Sequence, residues 1–395
     1  MKRSRTLIVA GAGIGGLTAA IALAKANYRA LVCERAASLG ESGAGLQLAP
    51  NATRVLRELG VLDAVRERAI EPEALVVTKA ESGRTLLRAD LRGPSARYGA
   101  PWLVLARSDL HRALAEAAAD QVDVELRTGT EVSDFADHTR GVTATVHSGG
   151  EVREELGAAL IGADGLRSKV RARLHGKTPP RFHGLSVWRA LIPTKNLPSM
   201  LTEPVVRLWF ASNGHAVHYP VANGERINLV LVFPEERECA DGEERSLSQL
   251  PATCMRWAKP LRDLIEAAPS FRRWPLYDRP PLATWGKDHA TLLGDAAHPM
   301  LPFMAQGAAA AIEDALVLAK HLQGANESEN GIAPRLRAYE AARMQRTAKL
   351  QAASLANNRN YHMNGVQRFA RDLLLPVIGG ERLIARNDWV YRYTA

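Results

Sequence analysis

The chain has 395 residues, 46% of them hydrophobic and 24% charged, with a net charge of +9. That balance describes a globular chain with core enough for two domains, and it excludes a disordered or fibrous protein. The basic residues are scattered, with no long block and no aromatic–basic repeat. Nucleic acid is therefore not an expected partner.

The N-terminus, MKRSRTLIVAGAGIGGLTAAIALAKA, has a basic start and an apolar stretch, like a secretory signal. Glycines interrupt it, and it splits into a β-type run at Leu7–Ala10 and a helical run at Leu17–Ala26. It therefore predicts a strand, a tight turn and a helix, with RALVCE as the next strand. No other segment approaches the length of a membrane span. Cys33, Cys239 and Cys254 are odd in number and lack metal-ligand spacing, so no metal is expected. A reducing, cytoplasmic setting is the simplest reading.

Further along, a helix is expected from about Asp109. VTATVHSGGEVREE reads as a hairpin through Gly149-Gly150, and AALIGADGLRSKVRARL as strand, turn and basic helix. From Phe182 to about Leu276, strand-like runs alternate with turns such as Asn213-Gly214 and Asn223-Gly224, predicting an antiparallel sheet inserted into an α/β domain. EERECADGEERS reads as a charged loop or helix start. After ATLLGD the chain turns helical, with GANESENG as a polar connector and RLRAYEAARMQRTAKLQAAS as a long helix. VQRFARDLLLPVIGG reads as a further helix.

Three motifs carry chemistry. Gly11, Gly13 and Gly16 fit G-x-G-x-x-G between a strand and a helix, with Ile14 and Gly15 completing the turn. Glu34, followed by Arg35, ends the next strand about twenty residues on, where a carboxylate can bind adenosine ribose hydroxyls. GADGLRSKVR spans Gly162–Arg171. GDAAHPMLPFMAQGA, beginning at Gly294, sets Asp295 before a proline-rich turn and an alanine-rich helix.

Together these motifs resemble the single-component FAD-dependent aromatic hydroxylases, the relatives of p-hydroxybenzoate hydroxylase. The resemblance spans essentially the whole chain. It implies a Rossmann-like α/β FAD-binding domain, discontinuous over residues 1–73, 100–180 and 277–350. It also implies a mainly antiparallel substrate domain at 74–99 and 181–276, and a C-terminal helical segment at 351–395. FAD would be bound non-covalently, with NADH or NADPH as co-substrate. O2 would add to the reduced flavin, giving a C4a-hydroperoxide that hydroxylates an aromatic or N-heteroaromatic hydroxy-carboxylate, with or without loss of the carboxylate. The partners would be these small molecules, with no nucleic acid or membrane, in a monomer or homodimer.

The resemblance also assigns roles. Glu34 would hold the FAD ribose, Arg107 would sit near the pyrophosphate, and Asp295 would hold the ribityl hydroxyls. Asp164 would contact FAD and the pyridine nucleotide. Gln47, in the Gly43–Ala52 loop with Asn51, would run beside the isoalloxazine. Pro302, Gln306, Gly307 and Ala308 would bring a helix N-terminus to the pyrimidine edge, where N–H groups stabilise negative charge on reduced flavin. GHAVHYP sets His215 and Tyr219 on one strand face and His218 on the other. It resembles salicylate, 3-hydroxybenzoate and 6-hydroxynicotinate hydroxylases, with His215 as base and Tyr219 orienting substrate. Arg189 reads as structural rather than as a substrate clamp. Simpler readings stay open: a surface Arg107, a helix-capping Asp164, and half-buried strand residues at 215 and 219. So do two other classes, a flavin oxidoreductase without oxygen insertion and a non-catalytic FAD-binding protein.

Overall fold

The computed structural model describes residues 6–40, 45–195, 197–324 and 331–395. Residues 325–330 of the polar connector, and 43 and 44 of the Gly43–Ala52 loop, lie outside the described residues.

The apolar run Thr6–Ala10 forms the middle strand of a five-stranded parallel sheet. The order is Ala290–Leu292, Ala159–Gly162, Thr6–Ala10, Arg29–Cys33, Val124–Arg127. The inner strands are almost wholly apolar because they are covered on both faces, while the edge strand Val124–Arg127 carries Glu125 and Arg127. Helix Ile14–Lys25 packs here, with Leu17, Ala20 and Leu23 fully buried. It ends where Asn27 takes a positive φ of 63°, a left-handed conformation that Asn tolerates. Helix Arg107–Ala119 starts two residues before the predicted Asp109. A three-stranded antiparallel sheet carries the hairpin through Gly149-Gly150.

The Phe182–Leu276 region builds most of an eight-stranded mixed sheet. Its strands pair antiparallel except Val205–Ala211, which runs parallel to Ala74–Lys79. The charged run at 235–246 is mostly loop, and its last residue, Ser246, caps a 3-10 turn at Leu247–Gln249. Before that cap a short strand, Glu243–Arg245, adds to the sheet edge against Phe271–Asp278. Arg273 holds it there by bonding both Glu235 and Glu243.

The alternation of this sheet decides which side chains meet the site. Trp209, Ala216, His218, Leu229 and Leu231 turn to one face, where Leu261, Leu264 and Phe271 cover them. His215, Val217 and Tyr219 turn to the other. Helix Ala333–Tyr361 runs unbroken through residue 351, where the sequence reading begins a separate segment. Its buried side chains continue through that point, from Arg343 against Asp314 to Ser354 against Leu301, so nothing breaks the helix there.

Candidate active site

The parallel and mixed sheets enclose one cavity of about 1240 Å³. It runs from the glycine turn at Gly13, Ile14 and Gly15, past Gln47, Arg107 and Asp295, to Pro302, Gly307 and Ala308. His215 and Tyr219 line it further in. Eleven residues singled out in the sequence thus share one chamber.

The glycines at the turn do different work. Gly11 has φ +101°, and a Cβ there would sit 2.6 Å from the Ala163 carbonyl oxygen. A Cβ on Gly16 would lie 1.9 Å from the Gly11 oxygen. Both let the strand and helix close on each other and leave the cavity wall to others. A Cβ on Gly13 would meet nothing within 4 Å, and the same holds at Gly307. Both of those backbones border open space that a ligand can use.

The remaining candidates stand outside the lining. Glu34 uses both carboxylate oxygens on backbone N–H groups, of Ala12 and Ala36, each at 2.8 Å. It anchors the turn from behind, and Arg35 is exposed beside it. Asp164 accepts from the N–H groups of Lys169 and Val170, which makes it a cap of helix Lys169–His175. Its Oδ1 is buried with no hydrogen-bond partner, and burial raises the carboxyl above its ordinary range. Gln306 points inward and accepts from Asn51 Nδ2 at 2.9 Å. It therefore gives helix Gly307–Leu322 no side-chain cap. That helix presents uncapped N–H groups to the cavity at Gly307 and Ala308.

Two supports were not anticipated in the sequence. The first is a polar stripe on the long helix that holds the proline loop by its carbonyls. Gln351 donates to Pro299 O at 2.9 Å, and Ser354 to Leu301 O at 2.5 Å. Asn357 and Tyr361 donate to Phe303 O, each at 3.1 Å. Steps of three and four along a helix bring such residues to one face, and this spacing was the available signal.

The second is a buried charge cluster. Arg343 bonds Glu313 and Asp314, each at 2.7 Å, and all three side chains are fully buried. His298, from the Asp295 loop, lies 2.5 Å from Asp314, and the Gly294 N–H donates to the same carboxylate. Burial would raise the Asp314 carboxyl, but His298 and Arg343 override it and hold it down at about 2. Arg343→Leu leaves two buried carboxylates short of a partner. It is expected to destabilise the fold by about 3–5 kcal/mol, read by urea unfolding. A loss under about 1 kcal/mol would show that the cluster is not under strain from desolvation.

The cavity also holds cations. Arg107 is drawn toward Asp295, while its burial lowers the guanidinium below its ordinary range. Arg189 is half-buried, lines the cavity and stacks 5.4 Å from the Trp274 ring centre. It has no carboxylate partner among the described residues, and its Nε is without a hydrogen bond. Burial and the nearby Arg107 both lower it. It lines the chamber while packing on Trp274, an arrangement compatible with the structural role read in the sequence.

His215 is 3% exposed and touches the rings of Phe303, Tyr361 and His362. Burial, and then the neighbouring His362, push its imidazole well below the usual range. Tyr219 is raised by burial, with Arg189 opposing. A Cβ on Gly45 would lie 2.7 Å from the Tyr219 ring, so only glycine lets strand Gly45–Leu48 pass there. Among the described residues no cluster of His, Cys, Asp and Glu could hold a metal, and no helix is long and apolar enough to cross a membrane.

A glycine turn on a parallel sheet, open backbone at a helix start and a substrate-sized chamber beside them define a dinucleotide-dependent oxidoreductase. The residues fit FAD: bare backbone at Gly13 and Gly307, an orphaned carboxylate oxygen at Asp164 and the Arg107 cation. A family model described as FAD binding domain matches residues 3–354. The chain is 36% identical to 3-hydroxybenzoate 6-hydroxylase 1 of Aquipseudomonas alcaligenes, over 98% of this chain and 97% of that one. It is 33% identical to 6-hydroxynicotinate 3-monooxygenase of Pseudomonas fluorescens, over 90% and 92%. Klebsiella pneumoniae HpxO, solved in a variant form with FAD, superposes with a TM-score of 0.87 at 26% identity, covering 98% of both chains. A salicylate hydroxylase substrate complex shares the fold, with a TM-score of 0.83 at 23% identity over 100% of this chain and 97% of that one. The chain belongs to the FAD-dependent aromatic hydroxylases, and it is a flavin monooxygenase.

Proposed function

We propose that this enzyme uses NAD(P)H and O2 to hydroxylate a small aromatic or N-heteroaromatic hydroxy-carboxylate. The observation that carries the reading is the shared chamber. A histidine disfavoured from carrying charge, a tyrosine and an arginine with no carboxylate partner among the described residues face the same space as the bare backbone at Gly13 and Gly307. Bound FAD, reduced by NAD(P)H, supplies an electrophilic oxygen atom from O2. The chain positions the acceptor ring and raises its electron density.

His215 accepts the ring hydroxyl's proton, which concentrates negative charge on the carbon to be attacked. Tyr219 hydrogen-bonds and orients the ring. Arg189 supplies the positive charge for the carboxylate, because a guanidinium fork pairs strongly with a carboxylate. Asp295 and Arg107 hold the flavin's sugar and phosphate portions. The hydroxybenzoate and hydroxynicotinate named for the relatives share the carboxylate and ring hydroxyl that this arrangement would grip.

The test is a panel of hydroxybenzoates and hydroxynicotinates read by stimulated NADH and NADPH oxidation, with labelled O2 traced into product. A panel that stimulates neither, or label only in water, would overturn the reading. Arg189→Met tests the clamp. Its KM for a carboxylate substrate is expected to rise on the order of tenfold to a hundredfold with a smaller change in kcat. An unchanged KM, with FAD content intact, would remove Arg189 from the substrate.

A further inference from the structure

His215 does not end at the cavity wall. Its Nδ1 lies 3.0 Å from Nε2 of His362, and His362 Nδ1 lies 2.8 Å from Oδ1 of Asn358. A carboxamide oxygen only accepts, so His362 Nδ1 carries the proton. In the neutral ring its Nε2 is then the acceptor, and His215 Nδ1–H donates to it. His215 Nε2 keeps its lone pair on a ring that lines the cavity. One amide therefore fixes both tautomers and leaves an accepting nitrogen for a bound hydroxyl. The chain of rings also leads outward. His215 is buried, while His362 and Asn358 are partly exposed without lining the cavity, and Arg359 and Asn360 beside them are exposed where the cavity opens.

We propose that His362 is a positioning residue that passes the substrate proton from His215 to the solvent side at Asn358. The proposal rests on the reading of His215 as base. The substrate O–H bond breaks, its electron pair stays on the ring oxygen, and the proton bonds to His215 Nε2. The Nδ1–H bond of His215 breaks as an N–H bond forms at His362 Nε2. The His362 Nδ1 proton leaves to solvent. One proton has moved from substrate to water, both rings end neutral in the opposite tautomer, and the reverse transfer resets them.

Burial explains why a path is needed. Both rings are pushed below the ordinary histidine range by desolvation, His362 to about 4, so neither holds an extra proton at neutral pH. The groups facing His362 agree. His215 comes from strand Gly214–Val221, and Tyr361 adjoins it on the long helix. Arg371 comes from helix Gly365–Ile378, where it is paired with Asp372. Arg371 also disfavours a charged His362. The loop at Pro302–Met304 contributes only the Phe303 ring.

The experiment uses holoenzyme and a hydroxynitrobenzoate probe, whose phenolate absorbs visible light. Phenolate formation on binding is followed by stopped flow across neutral pH, in H2O and in D2O. His362→Gln keeps a hydrogen-bonding group for His215 but is a poor proton carrier. It is expected to slow ionisation about tenfold or more and to enlarge the D2O effect, with the final extent of ionisation little changed. His362→Ala is expected to be slowed similarly and restored by added imidazole. Wild-type rates in both variants overturn the path. So does a slow Ala variant that imidazole fails to restore, or a Gln variant at wild-type rate beside a slow Ala one, since that pattern is orientation alone. His215→Ala separates the two ideas. If it ionises the probe normally, the base reading fails. If it does not, while both His362 variants behave as wild type, only the path fails.

Discussion

Gly16→Val is expected to prevent folding, and Gly13→Val to fold and fail to hold FAD. Only two residues separate these glycines of one motif, yet their surroundings are opposite. A Cβ on Gly16 would sit 1.9 Å from the Gly11 carbonyl oxygen, which belongs to backbone pinned by its own bond to Cys33. Nothing flexible can move away, so the cost exceeds the ~1–3 kcal/mol usual for overpacking. Gly13 precedes helix Ile14–Lys25 with φ −70° and ψ −179°, which any residue adopts. Its Cβ meets no protein atom within 4 Å. The side chain instead occupies the space where pyrophosphate would approach the helix start. The apoprotein is expected to unfold within about 1 kcal/mol of wild-type apoprotein in urea. Flavin absorbance per protein should fall to near zero. A yellow, stoichiometric Gly13→Val protein would place the pyrophosphate elsewhere.

That contrast also marks how far the sequence could be read. The glycine spacing announces a turn between strand and helix because few other residues fit. The strand alternation sets His215 and Tyr219 apart from His218 because a pleated strand has a period of two. What joins distant segments was not legible. His215 meets His362 from 147 residues away, and Asn51 meets Gln306 from 255 away. No local pattern encodes such pairings. Arg189 shows the same limit: its strand neighbours look like core, and only the assembled chamber shows that it also lines the cavity. Asp164 carried two readings in the sequence. The structure displays its helix-capping bonds, and the orphaned second oxygen keeps a ligand contact as a proposal.

His215→Ala is expected to lower hydroxylation on the order of a hundredfold and divert NAD(P)H electrons to hydrogen peroxide, while His218→Ala stays coupled. A ring hydroxyl that keeps its proton is a poorer nucleophile, so the oxidant decays before transfer. Raising pH should partly restore the His215→Ala variant, because solvent then removes the proton. His218 has a different task. On the opposite sheet face, its Nδ1 accepts from Trp209 Nε1 at 3.0 Å, within a buried apolar layer. Its removal leaves the indole N–H buried and unpaired, a loss of about 1–3 kcal/mol at neutral pH. Acid should reverse part of the comparison. Burial, with Arg207 adding to it, lowers His218 from 6.5 to about 3 in the folded state. The unfolded chain thus binds the extra proton first. The stability tied to a neutral His218 is complete above about pH 6.5 and is lost progressively as pH falls toward 3. His218→Ala should therefore unfold more easily than wild type at pH 7 and show a shallower decline below it. Product and peroxide yields per NAD(P)H, with urea midpoints across pH, check both halves. An uncoupled His218→Ala beside a coupled His215→Ala would refute the face assignment and the base together, since only a side chain that reaches the chamber can set the fate of the oxidant formed there.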